Sequence, residues 1–260
     1  VQKLLLRKDR LSGNPIIQMN KYDQIILTMD DCHANIQLNR PQKLNAYTPD
    51  MGDEIIDAYR LANFDKNIKV ISFSGNGTSF CSGADKDYLL GNKLSKSGLK
   101  IGEDEFIKSF ALELAKSTKI LIAGLHGACV GIGITMVLPF DMRIAETKTK
   151  ISFPFLKLGI LPGLASTYYL PSLVGKNKAH EIILTNAILT ADQAYDIGLI
   201  NKIVAESTIN NELNKIVSSF AEVPLNTLTA AKKAFHLNLE VNVQNAINNE
   251  RRLNKTLVNK

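Results

Sequence analysis

The chain has 260 residues, 45% of them hydrophobic, and 31 Lys and Arg against 25 Asp and Glu give it a formal charge of +6. That length supports one substantial apolar core with room for a helical appendage. No run approaches the roughly 18 apolar residues a bilayer span requires, and the basic residues are scattered without a binding-motif signature, so neither a membrane span nor a nucleic-acid partner is expected.

Residues 24–29 and 34–38 read as short strands joined by a turn at Asp30 and Asp31, an antiparallel start. Residues 48–63 read as a helix, because Thr48 precedes Pro49 at the first turn and Met51, Ile55, Ile56, Tyr59 and Leu61 fall near one face. The run KVISFSG, residues 69–75, is apolar and β-branched, as a buried strand requires, and Asn76 and Gly77 then turn the chain. Residues 91–104 are polar and rich in Gly, Lys and Ser, the mark of a mobile loop, and residues 106–117 read as an amphipathic helix. A second strand is expected at KILIAGLHG, residues 119–127, after which Gly131 and Gly133 open an apolar helix predicted to run to Phe140. Residues 142–146 and 150–153 read as short strands and residues 179–184 as a helix. Thr190 caps a short helix that stops at Gly198 and leads into a strand at residues 199–204. From Asn210 onward the pattern is helical with a break at Pro224, so the chain as a whole is α/β.

The two glycine-bracketed segments carry the chemistry. In SFCSGADKDYL, Ser82 and Gly83 let the backbone kink so that the Ala84 amide escapes a strand ladder, while Asp85 caps the helix that follows. In HGACVGIGITMVLPFD, the first amides of the helix opened by Gly131, including that of Ile132, have no intrahelical partner. A free donor at a helix start suits an anion. Either segment alone also fits an ordinary strand-to-helix turn; the pair is the more specific signal. Cys81 stands three residues before Ala84, but no base accompanies it in sequence, so Cys32, Cys81 and Cys129 read as reduced, packed thiols without metal spacing. His33, His126 and His180 fall at turn, strand-end and helix positions where a packed or solvated imidazole is expected.

Five segments in order and spacing, NRPQKLNAY at residues 39–47, FCSGAD, HGACVGIG, ISFPFLKLGILP and LTADQAYDIGLINKIV, resemble the crotonase (enoyl-CoA hydratase/isomerase) superfamily over roughly residues 21–240. The resemblance implies a crotonase-like spiral of strand-strand-helix units, forming two roughly perpendicular sheets in residues 1–205, and a C-terminal helical trimerisation region in residues 206–260, with a homotrimer or homohexamer as the assembly. It implies an acyl-CoA thioester as substrate, so that coenzyme A enters with the substrate and no separate cofactor or metal is needed. Ala84 and Ile132 then match the two main-chain donors that hold the thioester oxygen as an enolate develops. Lys43, Leu44, Ala46, Gly83, Asp85, Lys86, Gly131 and Thr135 match the surroundings of the pantetheine, adenine and acyl groups. Lys43, Lys86, Lys232 and Lys233 are candidates for the phosphates of coenzyme A.

The departures concern the acid and base. Hydratase-like members place glutamates where this chain has Thr135 and Phe155, and isomerase-like members place one where Gly163 follows Pro162. None of these can move a proton as a carboxylate does. Ser166, Thr167, Tyr168 and Tyr169 offer hydroxyls nearby, and Lys86 with His236 is a conceivable pair of the kind some decarboxylating relatives use. Three readings stay open: a lyase or isomerase with a substituted proton shuttle, a decarboxylase or thioesterase, and an acyl-CoA binder without turnover. Family members usually continue past the RRLNKTLVNK with which this sequence stops, so part of the nucleotide pocket is expected either to be absent or to come from a neighbouring subunit. The opening VQKLLLRKDRLSG carries a Leu run between basic residues but no small-residue cleavage site. A cytoplasmic location is expected, or an organelle matrix if a targeting segment precedes it.

Overall fold

Alternate residues of Ile25–Met29 and His33–Leu38 are buried, so each strand turns one apolar face inward, and the two pair antiparallel with Leu27 opposite Ile36. They lie in a computed structural model that describes residues 4–8, 15–19 and 21–258. A hairpin of β1 (Leu4–Lys8) and β2 (Pro15–Met19) extends the sheet antiparallel into β3 (Ile25–Met29) and β4 (His33–Leu38). Residues 4–8 of the basic, Leu-rich opening are thus strand; residues 1–3 and 9–14 lie outside the described residues. Beyond β4 the pairing turns parallel through β5 (Val70–Gly75) and β6 (Ile120–Leu125) and, past the short β7 (Ala128–Val130), through β8 (Met142–Glu146). β9 (Lys150–Ser152) joins β7 on one side and β10 (Ile188–Thr190) on the other in a second sheet of three strands, while β11 (Lys202–Val204) edges the large sheet beside β8.

The parallel strands are covered on both faces, which is why β5 reads as one continuous apolar run rather than an alternation. α1 (Pro49–Phe64) packs against β3, β4 and β5; it starts at Thr48, whose hydroxyl accepts the Met51 N–H at 3.1 Å, with Pro49 in the first turn. After the single turn of α2 (Lys86–Leu89), a π turn at Phe106–Phe110 leads into α3 (Ala111–Ala115). The predicted helix at residues 106–117 is therefore wider at its start, where the Phe106 and Phe110 rings stack at 4.7 Å and Phe106 also meets Tyr47. α4 (Ile132–Thr135) is one turn, and the helix predicted to reach Phe140 continues only as turns. Beyond it the bonds tighten to Val137 N–H with the Ile134 carbonyl and Phe140 N–H with the Val137 carbonyl, and the guanidinium of Arg143, 2% exposed, donates to the carbonyls of Val137, Leu138 and Phe140.

α5 (Ser166–Val174) and α6 (Lys176–Thr185) meet at Gly175, held at φ 78°. α5 was not foreseen, and α6 begins three residues before the predicted 179–184 segment because its first turn is wholly polar. α7 (Ala191–Asp196) carries a complete capping box between Thr190 and Gln193. The strand expected at 199–204 begins at Lys202, since Leu199 and Ile200 are spent in a buried turn. α8 (Ile209–Phe220) covers the other face of the sheet with Ile209, Leu213 and Val217 against Val70, Ile122 and Ile144. Gly124 permits this approach: a Cβ there would come within 2.8 Å of Leu213 Cδ1. α9 (Leu225–Phe235) and α10 (Leu239–Val258) follow, with Pro224 at the break. α10 packs on α3 and α5.

Candidate functional site

Strand β5 delivers the chain to the first glycine segment. Past the Asn76–Gly77 turn, Phe80 N–H donates to the His126 carbonyl at 2.8 Å and Cys81 N–H to the Ala128 carbonyl at 3.0 Å, and Val130 N–H returns to the Cys81 carbonyl at 3.0 Å. These bonds lay Cys81 beside Cys129 in a parallel bridge. Each cysteine is followed, three residues on, by one of the candidate donors, Ala84 and Ile132. The two segments therefore run side by side in the same direction, and their donors fall at matched positions.

The backbone turns sharply just before each donor. Gly83 has φ 107°, and Gly131 has φ 55° with ψ −120°, conformations an L side chain adopts only under strain. Beyond these turns neither the Ala84 nor the Ile132 N–H donates a hydrogen bond among the described residues. The neighbouring amides are committed: Gly131 N–H to the Ser152 carbonyl at 2.9 Å, Ser82 N–H to the Leu44 carbonyl at 3.0 Å, and Asp85 N–H to the Tyr47 carbonyl at 2.8 Å. Gly133 allows the segments to touch, since a Cβ there would lie 2.7 Å from the Cys81 carbonyl oxygen.

The segment NRPQKLNAY forms the third wall. Pro41–Lys43 is a 3-10 turn, after which Leu44 and Asn45 both take left-handed conformations at φ 49° and 54°. Asn45, fully buried, accepts the Arg40 N–H at 2.8 Å and donates to the carbonyls of Asn76 and Ser79, each at 2.8 Å. Arg40 donates to the Ala46 carbonyl and to Asp85 Oδ2, the latter at 3.0 Å, and Asp85 Oδ1 caps α2 through the Asp87 N–H at 3.1 Å. Lys43, Leu44, Ala46, Gly83, Ala84, Asp85 and Lys86 are thus drawn into one neighbourhood, with Lys43, Leu44 and Lys86 exposed. The roles of Arg40 and Asn45 were not foreseen, although both lie inside a segment the sequence singled out.

The other candidates separate. Thr135 is buried, its hydroxyl turned back toward the Ile132 carbonyl at 3.5 Å. The Phe155 ring stands beside Gly131, 4.0 Å from the position of a Cβ there, and Gly163 faces Ile107. Burial pushes the Cys81 thiol up to about 11 and that of Cys129 well above its ordinary value, which fits packed thiols. Lys232 is not free for a phosphate: 6% exposed, it pairs with Asp141 at 2.8 Å and donates to the Lys119 carbonyl at 2.6 Å. His236 faces Lys232 and Asp141 rather than Lys86. His33 belongs to β4 rather than to a turn and shares a 2.7 Å hydrogen bond with Ser72. Ser166 donates to the Gly163 carbonyl, and the Tyr169 hydroxyl is buried without a partner among the described residues.

Glu250 of α10 gave no signal in sequence, being one acid in a run of Asn and Arg. It accepts the Ala165 N–H at 3.0 Å, the Thr167 N–H at 2.8 Å and the Thr167 hydroxyl at 2.7 Å, so Thr167 is committed to it. Burial raises its pKa to about 7 despite these three donors. No group of three or more His, Cys, Asp or Glu that could hold a metal occurs among the described residues, and no helix there is long and apolar enough to cross a membrane.

Comparison with known proteins places the chain in a family. A probable mitochondrial enoyl-CoA hydratase of Dictyostelium discoideum is 32% identical over 84% of this chain and 77% of its own length. A crotonyl-CoA hydratase of Syntrophomonas wolfei is 30% identical over 88% of this chain and 87% of its own length. Among solved structures, an enoyl-CoA hydratase from Bacillus halodurans superposes with a TM-score of 0.83 at 24% identity, covering 92% of this chain and 96% of that one, which shows the fold. A putative enoyl-CoA hydratase from Thermobifida fusca, solved with acetoacetyl-CoA, gives 0.74 at 26% identity over 88% of this chain and 95% of that one. The family model for enoyl-CoA hydratase/isomerase matches residues 30–260, and the chain belongs to that family, the crotonase superfamily.

Proposed function

We propose that this protein binds an acyl-CoA thioester and stabilises its enolate between the amides of Ala84 and Ile132, acting as a lyase or isomerase. The observation that carries the reading is the pair of unbonded N–H groups three residues beyond the Cys81–Cys129 bridge. Such donors act where charge develops, and each is worth roughly 3 to 4 kcal/mol in the transition state. Lys43, Leu44, Ala46, Gly83, Asp85, Lys86 and Gly131 form the surroundings of the bound thioester, and coenzyme A enters as part of the substrate. Thr135 lines the acyl end. Proton transfer falls to groups other than Thr135, Phe155 and Gly163.

The same three residues favour a second reading, decarboxylation or thioester hydrolysis, in which the substrate's own carboxylate or a water replaces the family's glutamates; binding without turnover is its limit. Incubation with trans-2- and 3-enoyl-CoA, followed by mass spectrometry, separates these outcomes. Hydration or double-bond migration supports the first reading, free CoA or a decarboxylated species the second. Ala84→Pro removes one donor, so it is expected to abolish turnover or thioester binding in a protein whose circular dichroism is unchanged. Retained activity refutes the hole. A homotrimer or homohexamer is proposed as the assembly; Phe235 (88% exposed) and Leu237 (82% exposed) offer apolar surface for it. The proposed location is the cytoplasm, or an organelle matrix given a targeting segment.

A further inference from the structure

Ala84 is held only from its two sides. Tyr47 N–H donates to the Gly83 carbonyl and Asp85 N–H to the Tyr47 carbonyl, each at 2.8 Å, so the backbone of Tyr47 brackets the donor while leaving its N–H unbonded. One guanidinium adds a side-chain tie to this backbone bracket. Arg40 reaches the Ala46 carbonyl with Nη1 and Asp85 Oδ2 with Nη2, from a side chain only 17% exposed, against an Asp85 side chain 10% exposed. A fork that bonds the residue before Tyr47 and the residue after Ala84 sets the angle between the two segments. The left-handed Leu44 and Asn45, cross-linked to the turn at Asn76 and Ser79, supply the rigid base from which Arg40 reaches.

We infer that Arg40 and Asp85 form a positioning pair that aims the Ala84 amide at the substrate oxygen. The inference rests on the oxyanion reading above. A guanidinium is suited to this because its donors are planar and fixed; a lysine at the same place keeps the charge but reaches one acceptor at a time. The pair need not touch substrate. It acts through the direction of the Ala84 N–H, so its loss is expected to weaken binding of an enolate far more than binding of a ground-state thioester.

The test uses two probes, three single variants and one double variant. Acetoacetyl-CoA binds as an enolate whose ultraviolet band reports polarisation by the donors, and butyryl-CoA reports ground-state binding. Arg40→Lys and Arg40→Gln remove the fork, while Asp85→Asn removes the ion pair but keeps an equally good cap for α2. Since one oxyanion donor is worth about 100-fold or more, a misaimed one is expected to weaken acetoacetyl-CoA binding and its band at least about tenfold, with butyryl-CoA affinity of the two Arg40 variants within about threefold of wild type. The double variant Arg40→Gln with Asp85→Asn is expected to do no worse than Arg40→Gln alone, because the contact with Asp85 is already lost there. Equal losses on both probes, or an unchanged band in variants that bind, overturn the inference while leaving the oxyanion reading intact. If wild type binds acetoacetyl-CoA without the band, the hole itself fails and this proposal with it. Variants that lose their fold at the assay temperature assign the pair to the fold instead, which also overturns it.

Discussion

Glu250 is the buried acid whose ionisation is most open to measurement. It is 2% exposed and sits across from the first turn of α5, where its oxygens take the Ala165 and Thr167 amides and the Thr167 hydroxyl. A carboxylate on one helix thus caps another, answering amides that have no partner within α5. Burial nevertheless raises its pKa from 4.5 to about 7. Because the folded state holds the proton more tightly than the unfolded chain, the stabilising contribution is complete below about pH 4.5 and is lost as pH rises through about 7. The span corresponds to about 3 kcal/mol. Glu250→Gln cannot titrate and has nearly the same shape, but its amide group places a donor opposite a donor, at a cost of roughly 1 to 3 kcal/mol that does not depend on pH. Urea unfolding of both proteins from about pH 4.5 to 8 should show the wild-type advantage shrinking by about 3 kcal/mol, at most about 1.4 kcal/mol per pH unit, and vanishing or reversing at the alkaline end. An advantage that stays constant, or that grows with pH, refutes the reasoning. Growth would mean that the three donors hold the anion more strongly than burial opposes it.

Two further outcomes follow from the contact between the glycine segments. Gly133→Ala drives a methyl against the Cys81 carbonyl and Cβ, at 2.7 and 2.8 Å, and should cost about 1 to 3 kcal/mol, read as a Tm several degrees lower with weaker acetoacetyl-CoA binding. An unchanged Tm would mean the segments are not in register. Brief alkylation of the native protein near pH 8 should modify Cys32, which is half-buried, well before Cys81 and Cys129, as peptide mass spectrometry would show. Preferential modification of Cys81 would overturn its assignment as a packing residue.

The parts of the site written into the backbone were legible because glycine announces them. Gly83 and Gly131 stand where positive φ is required, and their spacing from Ala84 and Ile132 could be read directly. The strands that were legible are the long ones with alternation or unbroken apolar runs. β7 and β10, three residues each, carry too few positions to show a period. The early end of α4 leaves no local mark, because residues 136–140 stay apolar and the group that satisfies their carbonyls, Arg143, comes from the following strand. Lys232 illustrates the same limit: beside Lys233 it reads as a surface cation, and only the approach of α9 to Asp141 buries it. Arg40 and Asn45 were in view as letters of a motif, but their work is done over sequence separations of up to 45 residues, which no local pattern records.

The arrangement separates binding from proton transfer in a way that shapes which assays are informative. Both proposed donors are main-chain, so any residue but proline at 84 or 132 keeps the N–H, and what holds them in place is the Cys81–Cys129 bridge, the Gly133 contact and the bracket from Tyr47. None of these involves Thr135, Phe155 or Gly163. On the proposed reading, polarising a thioester carbonyl is therefore structurally independent of whatever moves the proton. If the proposal holds, enolate binding and turnover are accordingly two measurements on two sets of residues: loss of the first traces to the scaffold around Ala84 and Ile132, whereas loss of the second with the first retained traces to the groups that move the proton.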